Sequence, residues 1–430
     1  MTGVAGGDDV PARALSERGG ARLRIVVCSD AFLPATREGG PPLSTFNLCR
    51  ALAAAGADLR VVTTDRDGVG RLELRTDEWV DREGIPVWYA RSLPGPYYPA
   101  PSAARAVQEV AADCLIGSGT LWTHLGFLAW RTARRRGVPF LLYPRGLLEP
   151  WVMALKPIRK RVYWALVGKR IVRGAAAVVA LSERERETIA ALAPARRVEI
   201  IPNGVAIEDA SGVPPRSSLA EWLPQLGRRP FLLFLGRIHE VKGLGALLEA
   251  LVQPVLAGLD FAAVLAGPVD DEYRTRFERL VAGSPARGRI VLAREVSGHH
   301  KAALLAHATV FVLPSFSEGL PMAALEALAS GCPVIVSPAC NLPEITDAGA
   351  GLVVVPDPAP LADALALVLT QAERREAMSK RAIELAREKF DWKTIGAQTL
   401  ALCQELARTS RGDRETSSRG GDRRSSTHLR

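Results

Sequence analysis

The sequence predicts an α/β protein built as two Rossmann-like, doubly wound domains, and three observations carry that prediction. The chain has 430 residues, a length that favours two substantial domains at about 100–200 residues each. Short β-branched runs alternate with helical patterns almost from end to end, as in βαβ units stacked around a parallel sheet. The rhythm breaks once, at Pro202-Asn203-Gly204-Val205 and the polar stretch holding Pro214-Pro215 and Ser217-Ser218, and then restarts.

In the first half, strands are expected over 23–28, 59–63, 85–90, 113–116, 138–143, 176–181 and 198–201, with a helix over 43–55 after a Gly/Pro loop. Each strand is short and largely apolar, with the pattern of a buried parallel strand. In the second half, strands are expected over 231–235, 261–266, 290–292, 309–313, 334–336 and 352–355. Helices are expected over 243–256 and 359–370, and a last pair over 373–389 and 392–408 flanks Phe390-Asp391-Trp392. The domains are therefore placed at 21–204 and 205–390, with a final helical segment 391–408 and disordered tails at 1–20 and 409–430. Such sheets bind ligands at the carboxyl ends of their strands, here facing a cleft between the halves.

A 48% hydrophobic, 23% charged chain is ordinary globular composition, which excludes disorder throughout. Cys28, Cys49, Cys114, Cys332, Cys340 and Cys403 form no CxxC pair or ligand cluster. Several lie in apolar runs, which fits a reducing cytoplasm better than a disulfide-stapled secreted domain. Residues 1–20 lack the apolar core of a secretory signal. The long uncharged stretch 114–130 is too short and too broken by glycine to span a bilayer. The net charge of +9 favours anionic partners without naming one.

The sharpest cluster is Pro314-Ser315-Phe316-Ser317-Glu318-Gly319-Leu320-Pro321, where a strand ends and a helix containing Glu326 begins. Pro321 suits the first helical turn, and helix N-termini collect anions through unpaired amides. Glu318 and Glu326 are eight positions apart, about 12 Å along a helix. They suit the hydroxyls on either side of a diphosphate; equally, Glu318 reads as a capping acid and Glu326 as a solvated face residue. The second cluster is Gly236-Arg237-Ile238-His239-Glu240-Val241-Lys242-Gly243, a loop after a strand. Arg237 and Lys242 are placed to clamp a diphosphate and stabilise a leaving group's charge, or they form a basic loop in water. The third, Gly39-Gly40-Pro41-Pro42, opens the first helix and lets amides approach an anion. No G-x-G-x-x-G is present, and alone this pattern reads first as a plain turn.

Taken together, these clusters resemble glycosyltransferase family 4, the retaining nucleotide-sugar enzymes of GT-B fold, over about residues 22–405. The family's E-x7-E motif matches Glu318 and Glu326, its GR-x4-KG motif matches Gly236-Arg237 to Lys242-Gly243, and its glycine pair matches Gly39-Gly40. The inter-domain Pro-Asn-Gly-Val matches 202–205, and the run from Glu326 to Ile335 resembles the family's EAxAxGxPVI. Phe390-Asp391-Trp392 resembles the crossover from which a last helix returns to the N-domain. The resemblance implies sugar transfer from a nucleotide diphosphate to a hydroxyl of a glycan or lipid-linked acceptor, with anomeric retention. It implies Arg237 and Lys242 on the diphosphate, Glu326 on the ribose, and Glu318 with the Gly319, Leu320 and Pro321 segment on the donor sugar. It also implies Gly39 and Gly40 amides on the phosphates once the cleft closes, and base contact near Glu295-Val296. Neither metal nor cofactor is expected, since a front-face displacement needs only stabilisation of the departing diphosphate. Asp65-Arg66-Asp67 spells D-x-D, but one chance match is a poor metal argument.

One departure stands out. Many members carry Pro-His-Gly where this chain reads Tyr143-Pro144-Arg145-Gly146. Arg145 cannot shuttle protons at pH 7, so it reads as a binding residue for a hydroxyl, a phosphate or an anionic acceptor, or as a structural one. Trp122 and His124 are candidates for the acceptor side, although a helix-surface histidine is an equal reading, and His239 reads as a loop residue. Residues 156–173 carry seven basic side chains and no acid around Ile158, Val162, Tyr163, Trp164, Leu166 and Val167. That pattern fits contact with an anionic membrane and, equally, a solvated basic face over a packed apolar one. No nucleic-acid-binding module accompanies it. The rival readings are another GT-B chemistry such as an epimerase, and an inactive nucleotide-sugar-binding protein.

Overall fold

The chain divides at Ile201/Pro202 and at Trp392/Lys393 into two units. Unit 1 comprises 1–201 and 393–430 and unit 2 comprises 202–392, so the breaks fall three residues before and two residues after the expected ones. The computed structural model describes residues 22–35, 37, 40–95, 97–154, 157–207, 212–294 and 296–422. The expected tail 1–20, and 423–430, lie outside the described residues.

Unit 1 runs β1 (Arg24–Ser29), α1 (Gly40–Ala54), β2 (Asp58–Thr64), β3 (Arg66–Asp67), β4 (Gly70–Arg71), β5 (Trp79–Arg82), β6 (Ile85–Ala90), α2 (Pro101–Glu109) and β7 (Cys114–Ser118). It continues through α3 (His124–Arg136), β8 (Phe140–Tyr143), α4 (Pro150–Ala154), α5 (Pro157–Tyr163), a π-helical turn Trp164–Gly168, α6 (Lys169–Gly174), β9 (Ala177–Ala180), α7 (Glu183–Leu192) and β10 (Val198–Ile200). The eight-stranded sheet has the order β10-β9-β8-β7-β1-β2-β6-β5. Only the edge strand β5 runs antiparallel, folded onto β6 through Glu83 and Gly84, both at positive φ. The inner strands are buried on both faces, which is why they read as unbroken apolar runs.

Local chemistry sets the helix ends. Thr123 caps α3 by accepting from the Gly126 amide, and Gly137 closes it at φ 63° after Arg134, Arg135 and Arg136, which complement the helix dipole. Ser182 caps α7 by accepting from the Glu185 amide.

Unit 2 runs α8 (Ser217–Trp222), β11 (Phe231–Leu235), α9 (Leu244–Ala250), β12 (Ala262–Ala266), α10 (Asp271–Gly283), β13 (Ile290–Ala293), α11 (Gly298–His307) and β14 (Val310–Leu313). It ends with α12 (Met322–Ala329), β15 (Val334–Val336), α13 (Glu344–Asp347), β16 (Gly351–Val353), α14 (Pro358–Thr370) and α15 (Ala372–Lys389). Its six strands are all parallel, in the order β13-β12-β11-β14-β15-β16. The helix expected over 243–256 stops at Ala250, and Pro254 opens a separate 3-10 turn because it has no N–H to continue the ladder. The Val205 amide donates to Phe390 O at 2.6 Å and the Trp392 amide to Val205 O at 3.3 Å. A Cβ on Gly204 would lie 2.5 Å from the Trp392 ring, so only glycine lets that ring cover the segment.

The last helix, α16 (Trp392–Asp422), begins at the final residue of unit 2 and packs on unit 1. Gly396 lies against Ala51 of α1, and Thr399 shares a 3.0 Å hydrogen bond with the buried Tyr143 hydroxyl. Arg197 pairs with Glu405 at 2.5 Å. The tail expected to be disordered from 409 is helical to Asp422 instead. Arg411 donates to Asp113 at 2.6 Å, which ties that stretch to the start of β7.

Candidate functional site

In unit 2 the strand order reverses at β11, whose neighbours are β12 and β14. The loops leaving β11 and β14 therefore meet at a topological switch point, where open α/β sheets bind ligands. The first loop folds as a 3-10 turn, Glu240–Lys242, capped by His239 Nδ1 accepting from the Val241 amide at 3.1 Å. His239 is thus a capping residue, and burial and the Arg237 charge hold its imidazole below the ordinary value. Gly243 sits at φ 70°, and a Cβ there would lie 2.0 Å from Pro314 O. Glycine is required for the loops to touch. The Phe316 amide then donates to Val241 O at 2.7 Å.

This docking brings two predicted residues together. Lys242 Nζ lies 2.6 Å from Glu318 Oε1, which also accepts from Ser315 Oγ at 2.6 Å. Arg237 is exposed and donates to Asp270 at 3.2 Å. Glu318 precedes α12 by four residues and Pro321 is that helix's N-cap. The Gly319 and Leu320 amides find no acceptor among the described residues. Glu326 is half-buried on α12, paired with Lys301 Nζ at 2.7 Å. It is neither a bare solvated carboxylate nor in contact with Glu318's partners. Val296 is half-buried between β13 and α11, and Glu295 lies outside the described residues.

Unit 1 has its own switch point at β1, between β2 and β7. Arg145 follows β8 in the left-handed region, φ 54°. Its Nε donates to Ser118 Oγ at 2.7 Å and its Nη1 to Ser44 Oγ at 3.0 Å. Ser118 ends β7, and Ser44 lies in the opening turns of α1, so the guanidinium sits beside that helix's N-terminal end. Glu185 holds the Arg145 turn from below, accepting from the Gly146 and Leu181 amides at 2.7 Å each. Burial pushes the Glu185 carboxyl up, against both amides and the Arg145 charge. Burial also lowers the Arg145 guanidinium, which nevertheless stays charged. Gly40 is the first residue of α1; Gly39 lies outside the described residues.

The expected acceptor-side residues are anchored. Trp122 Nε1 donates to Leu147 O at 3.0 Å, and its ring packs on Tyr163 and Trp164. His124 opens α3; its Nδ1 accepts from the Ala100 amide at 3.4 Å, and burial lowers its pKa. Beside it, Thr123 Oγ1 donates to Asp30 Oδ1 at 2.6 Å. The Asp65 and Asp67 carboxylates are both engaged: Asp65 accepts from the Ser92 amide at 2.9 Å and Asp67 from the Arg37 amide at 2.7 Å. Sequence reasoning gave no role to Ser315, Lys301, Asp270, Ser44, Ser118, Glu185 and Asp30. Ser315, inside the named cluster, and Asp30, directly after the first strand, carried signals that could have found them.

Comparison with known proteins bears on the family and the fold. Residues 221–385 match the family described as glycosyl transferases group 1, and residues 39–204 match the glycosyl transferase 4-like domain. An alpha-D-kanosaminyltransferase of Streptomyces kanamyceticus is 30% identical over 69% of this chain and 77% of its own. A GDP-mannose:cellobiosyl-diphosphopolyprenol alpha-mannosyltransferase of Xanthomonas oryzae is 24% identical over 87% of this chain and 94% of its own. Among solved structures, a sucrose-phosphate synthase from Thermosynechococcus elongatus superposes with a TM-score of 0.74 at 22% identity, over 90% of this chain and all of that one. With two parallel-sheet units, a paired Lys242 and Glu318, and matches in both halves, this chain belongs to the group 1, family 4 glycosyltransferases of GT-B fold.

Proposed function

We propose that the protein transfers a sugar, with retention, from a nucleotide diphosphate to a hydroxyl of a glycan or lipid-linked acceptor in cell-surface polysaccharide or glycolipid assembly. The observation that carries this is the unit 2 switch point. There Lys242 and Arg237 stand in one loop, and Glu318 with two acceptor-free amides stands in the next. A diphosphate there meets two cations and a run of backbone N–H groups, which neutralise charge as the glycosidic bond breaks. Glu318 and the Gly319, Leu320 and Pro321 segment take the donor sugar, and Glu326, steadied by Lys301, takes the ribose. Val296 serves the base. In a front-face displacement the departing phosphate oxygen accepts the acceptor's proton as the sugar's C1 passes to the acceptor oxygen. Arg237 and Lys242 supply the positive charge, so transfer is expected to need no added metal or cofactor. On unit 1, Gly40 serves the phosphate, and Arg145, Trp122 and His124 serve the acceptor side.

The test is transfer from a panel of labelled nucleotide sugars, with product anomers assigned by NMR. Glu318→Ala and Arg237→Ala should each lower kcat/KM by at least about a hundredfold. Undiminished transfer by both variants would refute the site, and donor turnover without acceptor would favour an epimerase or hydrolase.

The surface of unit 1 supports a peripheral position on the inner membrane face. On α5 and the π-helical turn, Ile158, Val162 and Leu166 are 79%, 53% and 56% exposed at four-residue spacing. Arg159, Arg161, Arg170 and Arg173 are exposed around them, and Arg131, Arg134 and Arg135 are exposed on α3; Lys156 lies outside the described residues. Between 122 and 175 the single acid is Glu149, which is buried. An exposed apolar stripe among cations suits an anionic leaflet. No helix among the described residues is long and apolar enough to cross a membrane. Co-sedimentation with phosphatidylglycerol vesicles should fall when Ile158, Val162 and Leu166 become serine; unchanged sedimentation would dismiss the contact.

A further inference from the structure

Asn341 carries a local cost. It closes a 3-10 turn, Pro338–Cys340, at φ 58°, a left-handed conformation that favours glycine. Its side chain is buried, and its Oδ1 has no partner among the described residues. A buried acceptor left unpaired costs about 1–3 kcal/mol. Asparagine tolerates the left-handed backbone, so the cost is the unpaired acceptor, borne directly behind the Glu318 loop.

The other end of the amide shows what offsets it. Asn341 Nδ2 donates to Glu318 O at 2.7 Å and to Gly319 O at 2.9 Å. Turning the amide over would set Oδ1 against two carbonyl oxygens, so the geometry admits one orientation. In a trans peptide the N–H points opposite to the C=O. Pulling the Glu318 and Gly319 carbonyls toward Asn341 therefore turns the Gly319 and Leu320 N–H groups the other way. These are the two amides without an acceptor. Neighbouring contacts brace the same loop: the Glu318 amide donates to Ala339 O at 3.1 Å, Ser337 Oγ donates to Ser315 O, and Asn203 Nδ2 lies 3.5 Å from Leu320 O.

We infer that Asn341 is a positioning residue for the donor's diphosphate: its amide fixes two consecutive peptide planes so that their N–H groups are aligned for an anion before it arrives. The inference rests on the donor-binding reading of the Glu318 loop and adds to it a residue from the next crossover. Successive N–H groups pointing one way form an anion-binding concavity, and setting them beforehand removes an ordering cost from binding.

The test measures affinities of the full-length protein for UDP, GDP, ADP, inorganic pyrophosphate and the corresponding nucleosides. Asn341→Gly keeps the left-handed backbone and loses both hydrogen bonds. It should weaken the best nucleoside diphosphate and pyrophosphate about tenfold, with nucleoside affinity unchanged. Asn341→Asp sets a carboxylate against two carbonyls and should weaken both phosphorylated ligands further; if it does not fold, Asn341→Gly alone decides. Wild-type pyrophosphate affinity in Asn341→Gly would overturn the inference. A parallel loss of nucleoside and pyrophosphate affinity would overturn it too, by showing a general structural role. If the wild-type protein bound none of the three diphosphates, the donor reading itself would fall and take Asn341's role with it.

Discussion

Replacing Lys242 with methionine keeps the aliphatic stem and removes the charge facing Glu318. At 2.6 Å and an effective dielectric of about 20, the attraction between the two is about 6 kcal/mol. The side chains are only 18% and 10% exposed, so desolvation takes back most of that, leaving a net coupling of about 1–3 kcal/mol. Lys242→Met strands the carboxylate with Ser315 as its remaining partner, and Glu318→Gln strands the ammonium. The double variant strands neither, so it should be more stable than the sum of the single losses by that coupling. Urea unfolding of the four proteins at pH 7 reads it directly. Additive effects, within about 0.3 kcal/mol, would refute the pairing and with it the claim that the two loops are docked without ligand. On the proposed donor reading, diphosphate affinity should also fall in Lys242→Met, since that reading passes the ammonium from Glu318 to the ligand.

Three further outcomes are expected. Arg145→Lys keeps the charge but not the planar fork that spans Ser118 and Ser44, so transfer should drop at least about tenfold while nucleoside diphosphate affinity measured by calorimetry stays put. Gly243→Ala places a Cβ 2.0 Å from Pro314 O at a positive φ; the thermal midpoint should fall by several degrees, from about 1–3 kcal/mol of strain, and diphosphate affinity should fall with it. His124 has its pKa lowered from 6.5 by burial, so the unfolded chain takes up its proton first. Stability should therefore decline as pH falls below about 6.5, and His124→Gln should flatten that slope in urea titrations at pH 5.5 and 7.5; an unaltered slope would mean the ring is not buried neutral.

The inner strands were legible because parallel strands covered on both faces must be apolar throughout, as Phe231–Leu235 and Val334–Val336 are. β5 was not: Trp79–Arg82 lies at an edge, where charged residues are tolerated and discourage further pairing. The end of α16 was misread because composition alone does not show that Arg411 reaches Asp113. At the site, Arg237, Lys242, Glu318 and Glu326 stand in short local motifs that a sequence displays. Their partners Asp270, Lys301 and Asn341 come from other crossovers, and only the strand order brings them there. The sequence also set Gly39-Gly40 and Arg145 apart without revealing that Arg145 would be pinned by two serines and propped by Glu185.

Synthesis on the ribosome proceeds from the N-terminus, and domains tend to fold as they emerge. Here unit 1 appears first but is completed only after unit 2, because Ala51 and the Tyr143 hydroxyl have their neighbours Gly396 and Thr399 on a helix that follows unit 2 in the chain. Until then an apolar surface over α1 and β8 stays uncovered while the intervening unit is being assembled. A nascent chain stalled before residue 393 should therefore be a better chaperone client than one in which residues 393–411 have emerged.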